Sequence, residues 1–189
     1  MTRLNAAALS VSALVLGLAS AATAQDPGQD GMVITGGSVI AAESADAVRV
    51  REAIAYANPL PRGAPDGDYP LVAWCDALVS GHAMLGETLT DPDELDRDII
   101  RLGRAEATTF QAALTVARPR QSPAVLEAAR VAAAQGGARW IPLMAADEPV
   151  RSEAFGLFFG LPGRCEHAAR RLQDNITTAP PTPRDVGLE

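Results

Sequence analysis

Lysine is missing from this chain: all sixteen basic residues are arginine. That excludes Schiff-base, P-loop and kinase chemistry, each of which needs a lysine amine. Basic residues are also outnumbered, 16 against 23 acidic, for a formal charge of −7. An acidic chain without a basic stripe has no counterion-release drive, so no nucleic acid is expected as a partner. Cysteine and histidine each occur only twice, too few for a disulfide-dense mini-protein. Beyond the first two dozen residues no apolar run approaches the roughly 20 residues of a membrane span; the longest, Ala154 to Leu161, is far too short. Hydrophobic residues at 48% and charged residues at 21% exclude a disordered acidic chain. At 189 residues one domain is the default.

Recognisable catalytic motifs are missing too. No G-x-S-x-G and no H-E-x-x-H occurs. Ser80 stands two residues before His82, on another helix face, and is not presented to it. The absence of C-x-x-C-H excludes covalent haem attachment. Non-covalent haem would need His82 or His167 with Met84 or Met144, and a methionine on a helical face more often fills a core. The acidic run Asp91 to Asp98 lacks the central glycine of a calcium loop and reads as a charged helix start. No cofactor and no catalytic residue is therefore expected. Asn175-Ile176-Thr177 matches a glycosylation sequon, a short motif that carries little weight alone.

What is present begins with an export signal. Arg3 precedes an apolar run from Ala6 to Ser20, followed by the small-x-small site Ala22-Thr23-Ala24. That is the layout of a cleavable signal peptide over 1–24, and it predicts a periplasmic or secreted protein with no membrane span after cleavage. Residues 25–43 read as an N-terminal arm or small hairpin: two apolar runs, Met32 to Thr35 and Ser38 to Ile40, flank Gly36-Gly37. An isolated hairpin is marginal in water, which favours an extended segment lying on the helical body.

From Ser44 the pattern is helical. A first helix is expected over 44–57, with Val48, Ala55 and Tyr56 inside and Arg49 and Glu52 outside, ended by Asn58-Pro59. Asp68 can cap a second helix with Pro70 in its first turn. Leu71, Trp74, Cys75, Leu78, His82, Leu85 and Leu89 then share one face. Gly81 and Gly86 lower its helix propensity and suggest that another helix packs close there. A third helix starts at Asp91-Pro92-Asp93-Glu94 with Asp91 as cap, and its inner pattern runs through Leu95, Ile99, Leu102, Phe110, Ala113 and Ala117. A fourth runs from Ser122-Pro123 through Ala134 and stops at Gly136-Gly137; a short one is interrupted at Pro142. Another starts at Asp147-Glu148-Pro149, and a last spans Arg164 to Asp174. The fold class is an all-α bundle of five to seven helices over 44–176, with a Pro-rich disordered tail over 177–189.

Two cysteines in an exported protein usually pair. Cys75 lies on the buried stripe of the second helix and Cys165 opens the last, so a disulfide would tie the two ends of the bundle. Both histidines stand near a cysteine: His82 two turns after Cys75, His167 two residues after Cys165. If the cysteines meet, the histidines can share a neighbourhood. That permits a Cys₂His₂ metal site or a histidine pair with Asp76 or Glu166, although the spacings match no standard zinc pattern. The blander expectation is a core His82 with one hydrogen bond and an exposed His167. Trp74, Trp140, Phe155, Phe158 and Phe159 are the main bulky side chains. They are expected to build the core, and they are also the candidates for a groove that takes an apolar ligand or a partner's peptide.

Tyr69-Pro70-Leu71-Val72-Ala73-Trp74-Cys75 and Leu161-Pro162-Gly163-Arg164-Cys165, with Trp140 between them, resemble segments of uncharacterised small exported helical proteins of alphaproteobacteria. The resemblance covers Tyr69 to Leu172 and implies export, helices and a cysteine pair, with no activity. The sequence thus reads as an exported, non-enzymatic helical module that binds an unknown protein or a small apolar ligand, or has a structural role. The alternative is a small-ligand or metal binder built on Cys75, His82, Cys165 and His167.

Overall fold

The computed structural model describes residues 32–35, 38–41, 43–158 and 160–188, the first two stretches by backbone alone. The expected signal peptide, residues 25–31 and Phe159 lie outside the described residues. In the N-terminal unit, β1 (Met32–Thr35) and β2 (Ser38–Ala41) pair antiparallel with Met32 opposite Ala41 and Thr35 opposite Ser38. A hairpin thus replaces the single extended run.

The second unit, 43–189, is all-α. Seven α-helices follow in order: α1 (Ala45–Ala57), α2 (Asp68–Glu87), α3 (Glu94–Ala117), α4 (Pro123–Ala138), α5 (Ile141–Met144), α6 (Glu148–Gly156) and α7 (Arg164–Gln173). Three starts follow directly from capping chemistry. The hydroxyls of Ser44 and Ser122 and the carboxylate of Asp147 each accept the backbone N–H three residues on. At α3 the cap is Asp93 rather than Asp91. Asp93 accepts the Asp96 N–H at 2.8 Å and the Asp96 carboxylate accepts the Asp93 N–H at 3.1 Å, a reciprocal box that Asp91 lies too far upstream to join.

α2 is the axis of the bundle. Thirteen of its twenty residues are buried, including Val72, Ala73, Val79 and Ala83 away from the expected stripe. Apolar on most of its circumference, α2 takes partners on several sides: α3, α4 and α7 pack against it. α3 returns along α2: Ile100 lies against Gly86, and Ala117 joins Tyr69 and Ala73 at the other end. Its buried arc runs through Gly103, Ala107, Phe110, Ala113 and Ala117. That turns Leu95 and Leu102 outward, 67% and 57% exposed, against the inward placement expected for them.

Gly136 and Gly137 lie inside α4 instead of ending it. A Cβ on Gly136 would stand 2.9 Å from the Trp74 carbonyl oxygen, so this glycine lets two helix backbones meet. Gly81 and Gly86 admit side chains rather than a helix: the Trp140 indole at Gly81, Phe155 and Ile100 at Gly86. Pro142 sits in the first turn of α5 and starts that helix rather than interrupting it, because an N-terminal turn needs no proline N–H.

Cys75 and Cys165 form a disulfide with Cα atoms 6.1 Å apart, both side chains buried. The bond joins α2 to α7 and closes a separation of 90 residues, worth about 4–5 kcal/mol in the chain-entropy account.

α1 is held to α7 by charge. Glu52, expected outside, is 5% exposed. Its carboxylate accepts from Arg171 at 2.9 Å and from Arg170, and paired acids tolerate burial that lone ones do not. Arg171 also bonds Asp68 at 3.1 Å, and Asp68 accepts the Tyr56 hydroxyl at 2.7 Å. Asp68 is therefore the first residue of α2 and a bridge to α1 and α7, while Gly67 occupies the cap position. Burial first, then the Asp68 carboxylate, push the Tyr56 phenol far above its ordinary range.

The tail from Thr177 is ordered through Leu188, which corrects the expectation of disorder. Arg171 binds the Thr178 carbonyl, Thr182 and Asp185 bond each other, and a 3-10 turn at Arg184–Val186 rests on α1. Pro180, Pro181 and Pro183 preset their backbone, so few contacts suffice to order it. No helix among the described residues is long and apolar enough to cross a membrane.

Candidate functional site

The last turns of α2 leave the disulfide core behind and carry His82 and Leu85 into a second cluster with Trp140 and Phe155. Three turns of chain build its walls. Trp140 stands between α4 and α5, Phe155 lies in the last turn of α6, and Phe158 follows two residues after α6 ends. The His82 ring stacks on Phe155 with centroids 4.5 Å apart and lies 4.4 Å from Phe158 and 5.7 Å from Trp140. Trp140 meets Phe158 edge-on at 5.6 Å. The His82 Nε2–H donates to the Phe155 carbonyl at 2.9 Å, which fixes the tautomer of the neutral ring. Burial pushes the imidazole below its ordinary value, partly opposed by that hydrogen bond.

On the outer side of these rings a cleft of about 340 Å³ opens between α2, α5 and α6. Leu78, Trp140, Leu143, Ala154, Leu157 and Phe158 line it, and Arg139 is the one charged residue among the lining. Leu157 is 57% exposed at its edge. The Trp140 indole N–H is buried and has no acceptor among the described residues. Its ring is held by packing against the bare backbone at Gly81.

The structure sorts the expected binding residues. Trp140, Phe155 and Phe158 come together around His82; Trp140 and Phe158 line the cleft, while Phe155 is buried behind them. Trp74 belongs to the disulfide core, 2% exposed, with the Arg139 guanidinium 5.4 Å from its ring. Leu78, Arg139, Leu143, Ala154 and Leu157 complete the cleft and are not among the expected site residues. Nothing local to Arg139 marks it: only the meeting of α4 with α5 and α6 makes the last cation of α4 part of the rim.

The metal alternative is corrected. Cys75 and Cys165 are bonded to each other and offer no thiolate. The histidines do not share a neighbourhood. His82 faces the three aromatic rings, while His167 answers to Glu166, Glu52, Arg170 and Arg51. His167 is also 3% exposed instead of open, because the first turn of α7 faces inward; burial lowers its pKa and Glu166 acts the other way. Asp76 bonds Ser80 and Gln111, each at 3.1 Å, and Glu166 bonds Arg51. Neither carboxylate serves a histidine pair by hydrogen bonding. Among the described residues no group of three or more His, Cys, Asp or Glu side chains is placed to hold a metal ion.

No known protein family, curated protein or solved structure matches the chain.

Proposed function

We propose that this chain is an exported, non-enzymatic binding module whose site is the aromatic cleft between α2, α5 and α6. The observation that carries the reading is the cleft itself: about 340 Å³, apolar on every side except Arg139, and walled in part by the Trp140 and Phe158 rings. Sites for small molecules have this character and start near this size. Export is supported by the charge–apolar–small layout of residues 1–24 and by the buried disulfide, a bond suited to an oxidising compartment. The occupant on this reading is a small apolar molecule rather than a metal.

The test is saturable binding of N-phenyl-1-naphthylamine, whose fluorescence rises in apolar surroundings, to the purified mature chain. Leu157→Ser removes one wall at an exposed position and weakens binding severalfold without altering the melting temperature. Absence of saturable binding by the intact chain refutes the reading. Retention of full affinity in Leu157→Ser moves the site elsewhere.

A further inference from the structure

We infer that the cleft takes a single-chain amphiphile with one anionic head, a free carboxylate of medium chain length, and that Arg139 receives the head. The inference rests on the cleft as the binding site and adds the chemistry of its ligand.

The argument starts from how this chain uses its arginines. Seven of them, Arg51, Arg101, Arg104, Arg130, Arg151, Arg170 and Arg171, are ion-paired. Arg139 is among the arginines that are not, with Arg49, Arg62, Arg97, Arg118 and Arg184, and of these it alone stands at the cleft. It is held instead over the Trp74 ring, which is fixed in the disulfide core. Its position as the C-cap of α4 favours the cation. A guanidinium keeps five donors in a planar fork that fits a carboxylate. The result is a preoriented cation with free donors at the edge of an otherwise apolar cleft, in a protein whose net charge is negative. A neutral ligand gains nothing from that charge, and a cationic head meets repulsion. The space between Phe155 and Phe158 that would suit a quaternary ammonium is filled by His82. The volume is at the low end for a small-molecule site, enough for one chain and too little for a two-chain lipid.

The test is displacement of N-phenyl-1-naphthylamine from the mature chain, below micelle-forming concentrations, by octanoate, decanoate, dodecanoate, dodecanol and dodecyltrimethylammonium. Affinity for carboxylates rises about fourfold per added methylene until the cleft is filled, then levels off. Dodecanoate binds about tenfold or more tighter than dodecanol. Arg139→Gln removes that preference, read as the ratio of dodecanoate to dodecanol affinity within the variant, and Arg139→Lys restores part of it. Equal displacement by dodecanol, or preference for the ammonium, overturns the inference while leaving the cleft as a site. So does a head-group preference that survives in Arg139→Gln. Failure of the probe itself to bind overturns the site and the ligand together.

Discussion

Replacing Gly81 by alanine tests the packing that builds the cleft. A Cβ at this position would stand 2.0 Å from Trp140 Cδ1, 2.4 Å from Nε1 and 2.6 Å from Cγ. Comfortable carbon contacts are about 3.5–4.0 Å, so the indole must retreat by about 1.5 Å. It has little room: Trp140 is 7% exposed, with Phe158 on its edge and His82 beside it. Alanine gains about 1 kcal/mol of helix propensity over glycine. Overpacking a filled core costs about 1–3 kcal/mol, and a displaced indole also loses burial. The expected net change is a destabilisation of about 1–2 kcal/mol, or about 2–8 °C in melting temperature for a chain of this size. Gly137→Ala is the matched control: nothing lies within 4 Å of the added Cβ, and the same substitution in α4 is expected to stabilise by up to about 1 kcal/mol. Urea denaturation of both variants, read by far-UV circular dichroism, gives the two signs. Stabilisation by Gly81→Ala would refute the placement of Trp140 against α2. Weaker N-phenyl-1-naphthylamine binding in the same variant would tie that placement to the cleft.

Glu52→Gln strips a buried partner from Arg171 and is expected to cost about 3 kcal/mol in urea denaturation. Arg130→Ala, which breaks the exposed pair with Glu127, leaves the melting temperature unchanged. The double variant Cys75→Ala/Cys165→Ala loses about 4–5 kcal/mol by the same assay; in the intact chain, mass spectrometry finds both thiols blocked to alkylation until reduction. Arg171→Ala releases the Thr178 carbonyl, so limited proteolysis clips the chain after Thr177 while the core of α2 and α3 survives. Stability falls as pH drops through the ordinary imidazole range near 6.5. His82 and His167 are held below that value by burial, so the unfolded chain binds protons first. The stabilising difference is complete above about pH 7 and is lost as the pH falls toward the lowered folded-state values. His82→Gln flattens the slope between about pH 7 and 5.5, measured by thermal melts across that window.

Sequence alone determined the local architecture of this protein. Ser44, Ser122 and Asp147 start their helices where capping chemistry places them, because a cap needs only a side-chain oxygen and an N–H three residues on. The cysteine pair was legible from its number and from the export expected of the first 24 residues, and the dense apolar pattern of α2 announced a buried helix. Part of the cleft was legible too: Trp140 and Phe158, and Phe155 behind them, stand out as bulky side chains in an aromatic-poor chain. Tertiary structure decided which faces are covered. Glu52 and His167 are inside because α1 and α7 meet there, and Leu95 and Leu102 are outside because the arc through Gly103 and Phe110 took the contact with α2. Gly136 and Gly81 read as a helix stop and a helix contact, yet one admits a helix backbone and the other an indole. Arg139 carries no local mark at all. Helix starts and turns depend on bonds spanning a few residues. Burial, ion pairing and the walls of a cleft depend on which distant segments the folded chain brings together, and the hydrophobic effect that brings them together has no direction written into any one stretch of sequence.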